Sequence, residues 1–257
     1  MINISNLSFS YEEPPVIGST SLRIKDGEFV GVAGPTGCGK TTFAMCLNGL
    51  IPNFVKGKFY GDVVINGHNT RDSRVFEIAR TVGLVFQDPD SQLFAPMVEE
   101  EIAFGPKNMG LKGAELRNRI ETAVNALGIH ALKGRETHSL SQGEKKKVCI
   151  ASILAMNPDI LILDEPTAQL DYRGTREIYG ILASLNNAGK TIMVIEHKTE
   201  WMAQHASRIL LMDRGKFIAD GVPIDVFRDM ETLDRIGVEI PRLFLLKNRA
   251  MKEQELL

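Results

Sequence analysis

Residues Phe29 to Thr42 read FVGVAGPTGCGKTT, and no other stretch restricts the possible folds so tightly. Five apolar or small residues, including Val30 and Val32, run into a glycine-rich turn that opens a helix-forming segment. Gly34, Gly39, Lys40 and Thr41 sit at the spacing G-x-x-x-x-G-K-[ST], with Pro35, Thr36, Gly37 and Cys38 filling the interval. The pattern has chemistry only between a buried strand and a helix start. There glycines let backbone N–H groups turn inward, and the helix end adds partial positive charge. The ligand such a turn suits is a chain of phosphates. Lys40 is placed to reach the β- and γ-phosphates, the Thr41 hydroxyl to hold Mg2+, and Thr42 to lie near the α-phosphate.

A turn of this kind belongs to an α/β fold, and further apolar runs supply its strands. VGLVF (Val82–Phe86), ILIL (Ile160–Leu163) and TIMVI (Thr191–Ile195) are short and unbroken, as strands buried on both faces of a parallel sheet are. Asn66-Gly67 in DVVINGH is a hairpin signal, which places antiparallel sheet near the N-terminus. DRGKF after RILLM predicts a closing hairpin. Lys40 to Leu50 predict one helix, stopped by Asn48-Gly49 and Pro52. Between Phe86 and Ile160 the texture changes. Leu116, Ile120, Ala123 and Leu127 recur at helical spacing up to Gly128, and Gln142 to Met156 read as another helix. Residues 88–157 are therefore expected to form a helical subdomain inserted into a domain spanning 1–222, with 223–257 as a helical tail.

Composition serves to exclude. Lys+Arg 30 against Asp+Glu 32 leaves a net charge of −2, so no global basic field argues for nucleic acid. Cys38, Cys46 and Cys149 show neither metal-ligand spacing nor a disulfide framework, which suits a reducing compartment. The N-terminus lacks the pattern of a signal peptide, and no apolar run approaches the roughly 18–20 residues of a membrane span. A cytosolic chain is expected, unless a partner tethers it to a membrane.

The strand of ILILDEP ends in Asp164 and Glu165. Two adjacent carboxylates at a buried strand end are costly without a cation, so Mg2+ is the natural partner. Asp164 would orient the metal's water shell and Glu165 would polarise an attacking water. The plainer alternative is a polar strand end. Gln87 and His197 also stand where apolar runs stop. In an open parallel sheet ligands gather at the carboxyl ends of strands, so the glycine turn, Gln87, Asp164, Glu165 and His197 should converge. Gln87 would touch Mg2+ and the water, and His197 the γ-phosphate, although a lone histidine there is commonly structural.

A second short turn, LSQGE, follows His138 and Ser139. Ser141-Gln142-Gly143-Glu144 reads as a capping box, and a capped helix start is also an anion site. The chain's own phosphates are already held elsewhere, so Ser141 and Gly143 are expected to meet the γ-phosphate on a second copy of the fold.

The order GPTGCGKT, Gln87, LSQGE, ILILDEP, AQLD and His197 resembles an ATP-binding cassette ATPase from Ile2 to about Gly221. The resemblance implies a P-loop NTPase with a RecA-like core, an N-terminal antiparallel β subdomain and an inserted α-helical subdomain, using ATP and Mg2+. It implies an ATP-sandwiched dimer with a second cassette subunit, identical or homologous. It also implies that Tyr11 in FSYEEPP stacks on adenine, that Ala168 to Asp171 (AQLD) form the contact between subunits, and that Asp171 couples them. One departure stands out: the family's LSGGQ is LSQGE here. Gln142 replaces a glycine and is a bulkier neighbour for a phosphate.

QDPDSQLFAPMVEEEIAFGPKNMGL and LAMNPDILILDEPTAQLD resemble ATPase subunits of energy-coupling factor transporters, which import vitamins or transition-metal ions. That implies an integral membrane coupling protein, a separate substrate-binding membrane protein and a peripheral position on the cytoplasmic face of the membrane. The region after Gln87 would help form the groove for coupling helices. Glu99, Glu100 and Glu101 would meet basic residues there or stand as a solvated helix face. No nucleic acid is expected as a partner. One rival reading is a DNA-repair or chromosome-structuring ATPase, which would carry long coiled coils and a basic surface; neither is seen. The other is a soluble regulatory cassette with little hydrolysis, against which both Glu165 and His197 argue.

Overall fold

The computed structural model of the chain describes residues 1–242 and 244–245. In chain order its strands are β1 (Ile2–Ser10), β2 (Ile17–Ile24), β3 (Phe29–Ala33), β4 (Lys58–Ile65), β5 (His68–Asn69), β6 (Val82–Val85), β7 (Ile160–Asp164), β8 (Thr191–Ile195), β9 (Arg208–Asp213) and β10 (Lys216–Gly221). The helices are α1 (Lys40–Leu47), α2 (Leu50–Asn53), α3 (Val75–Ala79), α4 (Val98–Asn108), α5 (Gly113–Leu127), α6 (Gln142–Ala155), α7 (Tyr172–Asn187), α8 (Thr199–His205), α9 (Pro223–Arg228) and α10 (Met230–Ile236).

Two sheets organise the molecule. The larger runs β10-β9-β3-β8-β7-β6, parallel from β9 to β6, with β10 folded back antiparallel at the edge. The smaller runs β2-β1-β4-β5 and is antiparallel throughout. Every residue of β3, β7 and β8 is buried, because the large sheet is covered on both faces. Toward one face Val30, Val32, Ile162 and Met193 pack with Phe43 and Leu47 of α1 and with Ile4, Leu7 and Phe9 of the small sheet. Toward the other, Phe29, Leu161, Leu163 and Val194 pack with α6 and with Ile178, Tyr179 and Leu182 of α7. The hairpin signal holds: Asn66 (φ 48°) and Gly67 (φ 88°) form a two-residue turn between the paired Ile65 and His68. Left-handed backbone at both positions is what an Asn-Gly pair tolerates best.

The helices between β6 and β7 share their core with the sheet. Val98, Ile102, Ile120 and Leu127 belong to the same apolar cluster as Leu161, Leu163 and Val194. The helix expected over Lys40 to Leu50 is shorter and ends at Leu47, since Gly49 turns left-handed (φ 76°) and Asn48 Oδ1 accepts from the Leu50 amide at 3.1 Å. The expected tail is partly built into the body. Val226, Phe227, Leu233, Val238 and Phe244 lie in the core cluster, and Arg242 donates its backbone N–H to Glu200 at 2.6 Å. Leu243 and residues 246–257 of that tail lie outside the described residues.

Candidate active site

β3 delivers the chain to the glycine loop, and α1 opens at Lys40 on its far side. The loop is pressed against its neighbours. A Cβ on Gly34 would stand 2.2 Å from the Met212 carbonyl oxygen, and one on Gly39 (φ 110°) 2.8 Å from that of Val16. Only glycine fits either position. Lys40 is buried, and its Nζ donates to the carbonyls of Gly34 at 2.8 Å and Pro35 at 2.9 Å, which draws the loop into a ring. Thr36 and Gly37 form its exposed rim. Cys38 is tucked beneath, with its thiol pushed up by burial against the opposing Lys40 charge.

Three adjacent parallel strands end beside this loop. Asp164 closes β7, Gln87 follows β6, and His197 follows β8. The Thr41 hydroxyl donates to Asp164 Oδ2 at 2.5 Å. Asp164 is almost fully buried, and burial pushes its carboxyl up, with the neighbouring Glu165 charge adding and the Thr41 hydrogen bond opposing. Glu165 takes left-handed backbone (φ 45°), uncommon for a residue other than glycine and typical of sites held by their surroundings. Its carboxylate sits between two groups: Gln87 Nε2 donates to Oε2 at 2.7 Å, and His197 Nε2 lies 3.2 Å from Oε1. The four residues expected at strand ends therefore do converge.

The donors suit the ligand. Among the described residues no three His, Cys, Asp or Glu side chains gather into a metal cage. Thr41, Asp164 and the Gln87 amide offer oxygen donors of the kind Mg2+ prefers. Tyr11 follows β1, its ring T-shaped to that of Phe9 (ring centroids 4.9 Å) and its hydroxyl 3.3 Å from Thr42 Oγ1. Tyr11 is 44% exposed, beside the start of α1.

Ser141 and Gly143 are in another place. They open α6 in the helical layer, and among the described residues neither has a hydrogen bond to the phosphate loop. The capping box is complete: Ser141 Oγ accepts from the Glu144 amide at 3.4 Å, while Glu144 Oε2 accepts from the Ser141 backbone at 2.8 Å. Arg135 Nη1 donates to the other Glu144 oxygen at 2.8 Å, and a Cβ on Gly143 would meet Leu170 Cδ2 at 3.4 Å. The Gln142 amide is held, donating to Asp90 Oδ2 at 3.0 Å. Asp171 caps α7, accepting from the Gly174 amide at 2.7 Å. Of the three glutamates in α4, Glu101 is buried and spent on the amides of Phe94 and Ala95.

Several polar residues here have no role in the motifs. Lys146, inside the KKK run, is buried and donates to the carbonyls of Phe86 and Gln87. Burial pushes its ammonium down. Glu196 and Lys198 flank His197 and both bond the loop after Glu165. The only signal for Glu196 is the one that marked His197, a polar residue directly after an apolar run.

Comparison with known proteins places the chain in a family. The family model described as ABC transporter matches residues 17–168. The energy-coupling factor transporter ATP-binding protein EcfA1 of Caldanaerobacter subterraneus subsp. tengcongensis is 40% identical over 260 residues, 98% of this chain and 92% of that protein. CbiO1 from Clostridium perfringens, described as part of the ABC transporter complex CbiONQ, superposes with a TM-score of 0.81 at 33% identity, covering 96% of this chain and 98% of that one. An ATP-binding cassette in a dimeric post-hydrolysis state with ADP and Pi superposes at 0.76 with 26% identity, covering 87% and 99%. With a phosphate loop, a held carboxylate and a remote capped helix on this fold, the chain is an ATPase that belongs to the ABC transporter family.

Proposed function

We propose that the chain is the ATP-hydrolysing subunit of a membrane importer of the energy-coupling factor type, acting as one half of an ATP-sandwiched dimer. The observation that carries the reading is the Glu165 carboxylate held between Gln87 and His197 while Ser141 and Gly143 open a helix elsewhere. One chain offers a complete phosphate cradle and a second, unattached phosphate-binding helix start, so two chains make two composite sites.

In this mechanism the loop Gly34–Gly39 and Lys40 bind the phosphates, Tyr11 stacks on the base, and Thr42 lies by the α-phosphate. Thr41, Asp164 and Gln87 would hold Mg2+, which when bound neutralises charge on the phosphate oxygens. Glu165 takes a proton from the attacking water, and His197 orients the γ-phosphate. Ser141 and Gly143 of the second subunit close the site, and loss of phosphate releases them. Tyr11→Ala is expected to raise KM for ATP roughly 5–150-fold, the equivalent of about 1–3 kcal/mol of base stacking, with kcat little changed. Steady-state ATPase kinetics measure it, and an unchanged KM excludes the stacking role.

No helix among the described residues is long and apolar enough to cross a membrane. Transport therefore needs other chains: an integral coupling protein and a substrate-binding membrane protein, with this subunit on the cytoplasmic face. A groove of about 270 Å³ between α3, α4 and α6 suits a coupling helix. Phe76, Phe94 and Phe104 line it, and Phe94 and Phe104 meet edge to face at 4.5 Å. All three are well exposed, an unusual concentration of aromatic surface for a chain of balanced charge. Affinity purification from detergent-solubilised membranes should recover a multi-span coupling protein and a small membrane binding protein. Phe104→Asp should cut that recovery about tenfold or more, since a buried unpaired carboxylate costs well over the 1.4 kcal/mol of one decade. Recovery of the chain alone, or with DNA-associated proteins, overturns the reading.

A further inference from the structure

The chain neighbours of His197 on both sides, Glu196 and Lys198, reach the same loop with their side chains. Glu196 is 2% exposed. Its Oε1 accepts from the Thr167 amide at 3.0 Å and from the Thr167 hydroxyl, and its Oε2 accepts from the backbone N–H of His197 at 3.2 Å. Lys198 Nζ donates to the carbonyl of Thr167 at 2.9 Å, to that of Leu170 at 3.2 Å and to the Thr175 hydroxyl at 3.2 Å. Thr167 is thus held at its N–H, its hydroxyl and its carbonyl, two positions after Glu165. The His197 imidazole lies 3.2 Å from the Glu165 carboxylate.

A buried carboxylate is an expensive way to fill space, and an apolar residue of similar volume often serves stability as well or better. Burial pushes the Glu196 carboxyl up, and the two Thr167 bonds only partly oppose this. What the arrangement supplies is geometry. Residues 167–171 cannot shift along the molecule without moving Glu196, Lys198 or both, and His197 is the residue between them. From this we infer that Glu196 and Lys198 are positioning residues that join the loop 167–171 to His197, so that docking of the second subunit against Ala168–Asp171 sets the imidazole beside the reacting phosphate. The inference rests on the proposed roles of His197 and of that loop and adds the link between them. Neither Glu196 nor Lys198 touches ATP in this scheme.

A double-mutant cycle on the full-length chain, read by single-turnover hydrolysis of labelled ATP, tests it. Glu196→Ala and Lys198→Met should each lower the hydrolysis rate about tenfold or more, with the concentration of ATP giving half-saturation nearly unchanged. Glu196→Gln keeps an acceptor for the Thr167 amide and should recover much of the loss. On a His197→Ala background, neither Glu196→Ala nor Lys198→Met should reduce the rate further, because groups acting through one residue are not additive. Losses that multiply on that background overturn the link while leaving His197 its role. A His197→Ala chain that hydrolyses ATP normally removes the role itself, and the link with it. Hydrogen exchange gives a second readout that does not depend on residual activity. With ATP bound, segments 167–171 and 196–198 should gain protection together in the unsubstituted chain. In the Glu196→Ala/Lys198→Met chain, protection should reach the first segment only. Independent protection of the two in the unsubstituted chain overturns the proposal.

Discussion

Glu165→Gln is expected to lose turnover by about 10²–10⁴-fold, the typical contribution of a positioned general base, while still binding ATP. The substitution keeps the shape of the side chain and removes one charge. Gln87 Nε2 donates to one carboxylate oxygen at 2.7 Å, and His197 stands 3.2 Å from the other. An amide can satisfy only one of these as an acceptor. It cannot take a proton from water. The phosphate loop, Lys40 and the Thr41–Asp164 pair are untouched, so binding energy survives the loss of chemistry. A chain that binds ATP without consuming it should accumulate as a closed dimer, visible as an ATP-dependent shift in size-exclusion chromatography. Turnover within a few-fold of the unsubstituted chain would remove Glu165 from the reaction.

The second large effect separates the two halves of the composite site. Gly143 is not in left-handed backbone, and a Cβ there would stand 3.4 Å from Leu170 Cδ2, an ordinary contact. Gly143→Asp should therefore fold, and it places a carboxylate where the γ-phosphate of the second subunit must approach. Repulsion should abolish hydrolysis while the altered chain still binds ATP in its own loop. Lys40→Ala has the complementary defect: it removes the ammonium that closes the loop across Gly34 and Pro35, and leaves Ser141 and Gly143 intact. Each alone should be inactive. Co-expressed with different tags and purified through both, the mixed dimer should regain activity at one site of its two. That site combines the Gly143→Asp chain's loop with the Lys40→Ala chain's helix start. If the second subunit is a homologous cassette, the two substitutions are divided between the two chains. A doubly tagged dimer as inactive as its parents overturns the composite site.

Much of the site was legible because its signals are local. The glycine spacing, the apolar runs ending in Gln87, Asp164 and His197, and the Ser141–Glu144 reciprocity each span a few residues. Local spacing also carried the hairpin at Asn66-Gly67. What stayed hidden depends on partners distant in the chain. Gln142 reads as a bulky neighbour for a phosphate, and its partner Asp90, 52 positions earlier, gives no local signal. Glu101 reads as part of an acidic surface, and folds inward because two amides of the preceding turn need an acceptor. The residues from Pro223 read as a helical tail, yet Phe227 and Leu233 belong to the main core cluster. Periodicity marks which face of an element is apolar and says nothing of which surface will cover it.

Lys146 links the aromatic groove's wall to Gln87 in a particular way. Apolar packing resists separation and permits sliding, and a strand ladder resists both. An ammonium set among the carbonyls of Phe86 and Gln87 has three equivalent donors on a flexible stem, so it can exchange acceptors as it turns. The joint between α6 and the end of β6 is thus made at the backbone of Gln87, the residue whose side-chain amide donates to Glu165. One residue is tied to the helical layer by its carbonyl and to the candidate base by its amide.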